Sequence, residues 1–521
     1  MNFAYLGDKE PTQELLHMLD NPSIVSVDVE TVSLKDQTML GIGFGISPKE
    51  AFYFPRSSPL IPWHLLDNPN IIKVFHNSLF DLPVINTVYK KGVWRGGVVG
   101  ASADTPRASA SASVETSPLA PSPVSLHDTL LMCHHQNLPP KLVEAAAHFG
   151  KLDVLTFEDV AQGKKTMLEV PEELRAKKCC LDCQATFLLY NELHNKVDYP
   201  PYNIEMELIP ILIDMQSRGV LIDQGARAGI EEMLEESVRH YREICDGLGF
   251  NPASPQQVGY TLANRGHILP FTRTKRNVRT DEETMSSIAD PVAQLVLLYR
   301  QDAKLLTTYV RPLEGESRAY THFHLDAITG RVTSTNRNMQ NIPSHIRIMF
   351  IPDGDVFTDL DFDQIELRVL AHVSGDKLMA EIYSKLGGDL HKETELYFFH
   401  TNGPYRKIAK TVNFGMIYQQ TPEGLAIQAG VSVQRAREFM TGWFGRYGGA
   451  TEWIHDIQES AMRTHYVSTP LGRRIYIREA DESSEYYNPP EAIRKAVNYP
   501  IQGGAAEIVK LAMIKCQHLT M

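Results

Sequence analysis

The sequence contains no run of about 18 apolar residues, so no stretch of it is expected to cross a bilayer as a helix. Its first residues, MNFAYLGDKEPTQELL, lack both a basic n-region and a continuous apolar run, and no secretory signal is expected. Cysteine is scarce, with 6 in 521 residues. Only Cys179, Cys180 and Cys183 cluster, and no second pair lies at a zinc-site spacing. They read as free thiols of a cytoplasmic protein. A basic excess is also missing: the formal net charge is −12, which taken alone argues against a phosphate-binding surface. A basic cleft can coexist with an acidic exterior, however, so local patterns decide.

What is present suffices for two to four domains, since a chain of this length exceeds one hydrophobic core. Ser23–Val29 (SIVSVDV) reads as a buried strand, and Leu40–Ile46 (LGIGFGI) as the strand after a turn. Asp28 and Glu30 alternate along the first and share one side of it. Buried side by side, they call for a neutralising cation; for Asp-x-Glu alone, a pair of edge-strand charges is the better reading. Asn77 and Asp81 in VFHNSLFD lie four apart on one helical face, and Asp182 lies on a later amphipathic helix. Together VDVETVSL, HNSLFD and the late helical Asp resemble the three motifs of the DnaQ-like 3′–5′ exonucleases.

That resemblance implies a ribonuclease-H-like domain over residues 1–195. In it Asp28, Glu30, Asp81 and Asp182 would hold two divalent metal ions for phosphodiester hydrolysis. The chain departs from the family pattern at Lys178, four residues before Asp182, where a Tyr or His is usual. It departs again at Gly92–Ser125 (residues 92–125), a Gly-, Ala-, Ser- and Pro-rich segment expected to be a disordered insertion. Asp128, just after it, reads as structural at the start of a helix, with an extra metal ligand as the alternative.

Residues 196–320 begin at the linker-like Asp198–Tyr202 (DYPPY). Helices are expected over Ile204–Val220, Arg227–Leu248 and Pro291–Tyr309, with a basic run of Arg273, Lys275, Arg276 and Arg279 between the last two. A solvated loop and a phosphate-facing loop are equally good readings of that run. EMELIPILIDMQSRGVLID and YRQDAKLLTTY resemble the helical thumb of family A DNA polymerases, the bacterial DNA polymerase I class. On that reading the loop and Lys304 follow duplex phosphates.

Thr358–Asp376 (TDLDFDQIELRVLAHVSGD) places Asp361 at the end of an apolar, strand-like run before an amphipathic helix. An isolated Asp there is best read as a helix cap, but the whole string resembles the first palm motif of the same family. The resemblance implies that Asp361 binds two Mg²⁺ ions, with Mn²⁺ as a substitute, and that Glu366 excludes ribonucleotides. Asp363 replaces a commoner Ser. Thr329–Pro343 (TGRVTSTNRNMQNIP) looks like an ordinary loop and resembles the block before that motif. Its Arg331, Asn338, Gln340 and Asn341 would face the duplex minor groove. In RKIAKTVNFGMIY, Arg406, Lys410, Phe414 and Tyr418 fall at four-residue intervals on one helical face. Two cations with two aromatics suit a nucleoside triphosphate better than they suit a plain amphipathic surface.

The string resembles the family's fingers helix. Arg406 and Lys410 would then bind the phosphates, Lys410 also acting as general acid, with Phe414 on the sugar, Tyr418 at the templating position and His391 near the β-phosphate. Arg494, Asn498 and Gln502 resemble the block that contacts template and primer. The family's His-Asp-Glu turn, which carries a second palm carboxylate, occurs nowhere in this sequence.

The expected fold is therefore α/β. A ribonuclease-H-like exonuclease domain precedes a polymerase right hand, with a thumb over 196–320, palm over 321–376, fingers over 377–460 and a truncated second part of the palm over 461–521. No 5′-nuclease domain is expected before it, as in phage enzymes, and the location would be the cytoplasm of the host. The expected function is templated DNA synthesis with 3′–5′ proofreading. Its partners are primer–template DNA and deoxynucleoside triphosphates, with no membrane and an unknown processivity factor. The rival readings are an exonuclease whose polymerase half only binds DNA, and a non-catalytic primer–template binding protein.

Overall fold

A computed structural model describes residues 2–5, 18–20, 22–89, 125–150, 154–272 and 277–517. Of the expected insertion only Ser125 is among them; the rest of Gly92–Ser125 lies outside the described residues, as do Arg273, Lys275 and Arg276. Strand β2 (Ile24–Thr31) is central in a six-stranded sheet. The strand order is β1 (Asn2–Tyr5), β4 (Glu50–Pro55), β3 (Met39–Ser47), β2, β5 (Ile72–Phe75), β6 (Leu126–Asp128). β2 runs antiparallel to β3 and parallel to β5, and β5 runs parallel to β6. Val25, Val27, Ile42, Phe44, Val74 and Phe75 fill its core, as expected for strands covered by helices on their faces.

Among the helices that pack on this sheet are α1 (Ser78–Val88), α2 (Thr129–His135) and α3 (Glu172–Leu193). β3 presents Gly41, Gly43 and Gly45 on one face. A Cβ on Gly43 would lie 2.7 Å from Cys179 Sγ and 2.8 Å from Cys183 Sγ, so α3 rests directly on the strand. The clustered cysteines are thus packing residues, buried and unbridged. Helix α4 (Pro200–Arg218) starts with Pro at its first position and buries Met206, Leu208, Ile209, Leu212 and Ile213 in the same core as the sheet. Pro83 inside α1 cannot donate to the carbonyl of Leu79. That carbonyl instead accepts from Gln216 Nε2 of α4 at 3.4 Å, and Gln216 Oε1 accepts from Phe323 N at 2.6 Å.

Helices α5 (Gln224–Gly247) and α6 (Pro291–Lys304) form an arm, with α6 passing into a π-helical turn at Leu305–Val310. Six further helices are α7 (Ile365–Ser374), α8 (Leu390–Phe399), α9 (Arg406–Ile417), α10 (Val433–Arg446), α11 (Gly448–Thr464) and α12 (Pro489–Gln517). They share a second core built on Leu367, Leu370, Val412, Met416, Trp443 and Val497. Short strands link the parts. β7 (Val220–Ile222) lies between β8 (Arg318–Ala319) and β11 (Phe350–Ile351), β9 (His322–His324) pairs with β10 (Thr333–Thr335), and β12 (Tyr466–Ser468) pairs with β13 (Arg474–Tyr476).

The strand expected to carry Asp361 is absent. Val356–Phe362 has no ladder partner among the described residues, and Val356 and Leu360 are 76% and 74% exposed. A run of apolar residues becomes a strand only when a neighbour takes its N–H and C=O groups. No described helix is long and apolar enough to cross a membrane.

Candidate functional site

Two groups of the expected residues converge, one in each half. In the first, β2 sends Asp28 and Glu30 to one face, beneath which α3 places Asp182. α1 supplies Asp81, whose surroundings include Asp28, Asp128, Glu30 and Asp182. A register shift at Glu30/Thr31 kinks β2 beside the cluster. Asn77 is not on the helical face with Asp81. It caps α1 in the left-handed conformation (φ 83°) and donates its backbone N–H to Asp128 Oδ1 at 3.1 Å. Asp128 also accepts from Ser78 N and Oγ and caps α2, so all its capacity goes to structure. Cys179, which spacing did not single out, brings its Sγ within 4.8 Å of ligand atoms on Asp28 and Glu30.

Lys178 lies at the centre of this cluster. Its Nζ is 2.6 Å from Asp182 Oδ2 and 3.1 Å from Glu30 Oε1, with the side chain 17% exposed. Burial opposes its charge, but Asp182, Glu30 and Asp28 outweigh it and raise the Lys178 pKa well above the usual lysine value. Asp28 is pushed well up by burial and then by Asp182, and its Oδ2 is buried without a hydrogen-bond partner. Asp81 is also pushed well up, by burial and then by Asp28. The free Asp28 oxygen suits a cation. Glu30 and Asp182, by contrast, are already spanned by an ammonium group, so the donor set does not fit two metal ions.

The second group lies where α7, α8 and α9 meet. Gln364, left-handed at φ 54°, caps α7. It donates to Asp389 Oδ1 at 3.0 Å and accepts from Leu390 N at 3.1 Å, fixing the heads of α7 and α8 together. The four-residue stripe is observed on α9. Arg406 donates through Nε and Nη2 to Asp389 Oδ2 at 3.0 and 2.8 Å. Lys410 Nζ stands 5.8 Å from the centre of Phe414, and Phe414 stacks 6.1 Å from Tyr418. Tyr418 OH donates to Glu366 Oε2 at 3.0 Å, Arg331 grips Glu366 Oε1 at 2.6 Å, and Gln502 hydrogen-bonds the Tyr418 side chain. His391, 2% exposed, accepts at Nδ1 from Asn413 Nδ2 at 2.9 Å, and burial lowers its pKa to about 4. It is a neutral ring with its Nε2–H free to donate.

Asp361 stands exposed at the head of α7, and Gln364 donates to Asp363 beside it at 3.2 Å. Among the described residues, three metal-capable side chains gather only at Asp28, Glu30 and Cys179. The pair of Mg²⁺ ions expected at Asp361 does not fit the residues found there. Arg331, Gln340 and Glu366 line one wall of a cavity of about 1170 Å³, whose other walls include Met215, Phe357 and Met513.

In the Thr329–Pro343 loop, Asn338 accepts from Gln340 N and Ser334 Oγ, and Gln340 Nε2 donates to Val332 O, while Asn341 is exposed. On α12, Arg494 pairs with Glu491, and Asn498 is half-buried. Of the basic run, the described Arg279 is committed to Asp281 and Glu283. Lys304 is exposed. The partners Asp389 and Asn413 were not singled out from the sequence. Asp389 stands at a helix N-cap position, and Asn413 is an amide in an otherwise apolar helical row, which are the signals that mark them.

The profile of DNA polymerase family A matches residues 224–520. DNA polymerase I of Synechocystis sp. is 30% identical over 569 aligned positions, covering 97% of this chain and 55% of the relative. DNA polymerase I of Treponema pallidum is 31% identical over 399 positions, covering 71% of this chain and 40% of the relative. The chain spans about half the length of the curated relatives it matches. In fold it is similar to the POL domain of Pol1 from M. smegmatis, solved in complex with DNA primer-template and dNTP. The TM-score is 0.73 at 24% identity, over 98% of this chain and 88% of that one.

Proposed function

The chain belongs to DNA polymerase family A, and from that premise we propose that it binds primer–template DNA and a deoxynucleoside triphosphate for templated addition to a primer 3′-OH. The observation that carries the reading is the α9 face, where two cations and two stacked rings line up opposite Glu366. Arg406 and Lys410 are placed to hold phosphate oxygens, and Phe414 and Tyr418 to stack on sugar and base. His391 offers Nε2–H to a phosphate without adding charge. A triphosphate arriving at Arg406 exchanges the Asp389 carboxylate for its own oxygens. Glu366, held between Arg331 and Tyr418, is the residue proposed to meet a 2′-OH on the sugar side. Arg331, Gln340, Asn341, Arg494, Asn498 and Gln502 are the candidate duplex contacts, with Lys304 on the arm.

No chemical step is assigned through metal ions, because the residues around Asp361 do not make a two-ion cage. The reading rests on nucleotide and DNA binding. Its test is fluorescence anisotropy with a primer–template whose primer ends in a dideoxynucleotide. The templated dNTP should slow DNA dissociation and a mismatched dNTP should not. Arg406→Ala should abolish the nucleotide effect while DNA binding persists. DNA binding that is indifferent to every nucleotide would leave a primer–template binding protein instead. Extension of an ordinary primer, lost in Asp361→Ala, would assign catalysis to this chain as well.

We infer further that the first unit is of the ribonuclease-H-like nuclease type. The strand order β4-β3-β2-β5-β6, with the outer two strands parallel to β2, supports this, as does the convergence of Asp28, Glu30, Asp81 and Asp182. Two-ion hydrolysis does not follow from that likeness, because the donor set takes a different form here.

A further inference from the structure

We propose that the Lys178 ammonium stands in the place of one divalent cation in the carboxylate cluster of the first unit, so that the cluster takes at most a single metal ion. The inference rests on reading that cluster as a nuclease-type centre. A two-ion centre needs Glu30 and Asp182 to face a metal together with Asp28 and Asp81. Here Nζ of Lys178 lies 2.6 Å from Asp182 and 3.1 Å from Glu30. An ion bridging those two carboxylates would have to lie on the ammonium itself.

Lys178 is not a loose surface side chain that swings clear at little cost. It lies one turn from Asp182 on α3, and its partner Glu30 is 4% exposed. α3 cannot slide to carry it away, because Cys179 and Cys183 touch the glycines of β3, and Ser26 Oγ donates to Cys183 O at 2.7 Å. Arg175, one turn earlier on α3, donates instead to the carbonyls of Met167 and Leu168 and acts on Glu30 only through its charge. The remaining place lies at Asp28, whose Oδ2 is buried and unpartnered, near Asp81. One cation fits there and a second does not. On that reading the first unit lacks the paired ions of a proofreading centre.

The test counts ions on the full chain by Mn²⁺ electron paramagnetic resonance, taking those lost in Asp28→Asn as belonging to the cluster. The wild-type chain should lose one ion at most. Lys178→Ala should gain one further ion, and saturating Mn²⁺ should raise the Tm of Lys178→Ala by several degrees more than that of the wild type. If Lys178→Ala does not fold, Lys178→Gln keeps the bulk while removing the charge, and its larger Mn²⁺-dependent rise in Tm serves as the readout. Two ions in the wild type would mean that Lys178 gives way to metal, and one ion in both proteins would mean that it occupies no metal's place; either overturns the inference alone. No ion in either protein would bring down the nuclease-type reading and the inference with it.

Discussion

His391 lies buried at the start of α8, accepting from Asn413 and flanked by Phe414, whose ring centre is 5.8 Å away. The folded chain holds its pKa at about 4, against about 6.5 for an unfolded histidine. As pH falls, the unfolded chain therefore takes up this proton first. The contribution of the neutral ring to stability is complete above about pH 6.5 and is lost between about 6.5 and 4. His391→Gln should flatten the fall of Tm over that interval without abolishing it, since His127 and His135 are also held near 4 by burial. Equal acid slopes in the two proteins would show that the ring takes up its proton in the fold as readily as in the unfolded chain. The stripe of Arg406, Lys410, Phe414 and Tyr418 was legible in the sequence because helical periodicity fixes which residues share a face. Their partners were not. Spacing along α9 says nothing of which carboxylate or amide on α8 or α7 stands opposite, and Asp389, Glu366 and Asn413 become partners only once the cores have packed.

At the scale of elements, two strands of the six-stranded sheet, β2 and β3, were legible from their hydrophobic runs, and the other four were not read from the sequence. The helix that completes the site was legible as a helix but not in its place. Gly43 and Gly45 fix that place by letting α3 approach β3 without Cβ atoms between them. Gly43→Ala should therefore cost roughly 1–3 kcal/mol, with urea unfolding as the measure. It should also lift Lys178 and Asp182 away from Glu30, changing the amide exchange of β2 near Glu30. An alanine tolerated without loss would mean that α3 rides further from the sheet than its contacts indicate. Val356–Phe362 carries the opposite lesson. Its pattern is that of a strand, yet pattern alone supplies no partner, and it stands unpaired among the described residues and exposed before α7. Asp361 was expected at the end of a strand, and among the described residues no ladder holds it there.

Across the whole molecule, the halves meet at a buried charge cluster that no motif announced. Glu205 of α4 is fully buried. Its Oε2 accepts from His135 of α2 at 2.8 Å, and its Oε1 accepts from Lys510 of α12 at 2.6 Å and from Arg473, just before β13. Burial opposes the Glu205 charge, but Arg473 and Lys510 outweigh it and hold its pKa well below the usual range. Gly330, at φ 71°, lies against the Arg473 guanidinium, where a Cβ would stand 2.8 Å from Nε, and the next residue, Arg331, reaches Glu366. The first unit, α4, α12 and the cleft are thereby fastened through one carboxylate. Removing one partner of a buried ion cluster leaves the others uncompensated, which costs far more than the cluster gains over an apolar filling. Glu205→Ala should cost roughly 3–5 kcal/mol, leaving Lys510 without its carboxylate partner and Arg473 with only Glu507, whose Oε1 lies 3.6 Å from its Nε. It should also divide the calorimetric transition into two, with the first unit and the helical half melting apart. Combining Glu205→Leu with Arg473→Met and Lys510→Met should return part of that loss, since apolar groups of similar size leave only the buried Glu507, which keeps the Thr469 hydroxyl at 2.7 Å. A single transition and an unchanged midpoint in Glu205→Ala would mean that the halves are held by the apolar core shared between α4 and the sheet, with the ion cluster contributing nothing to their union.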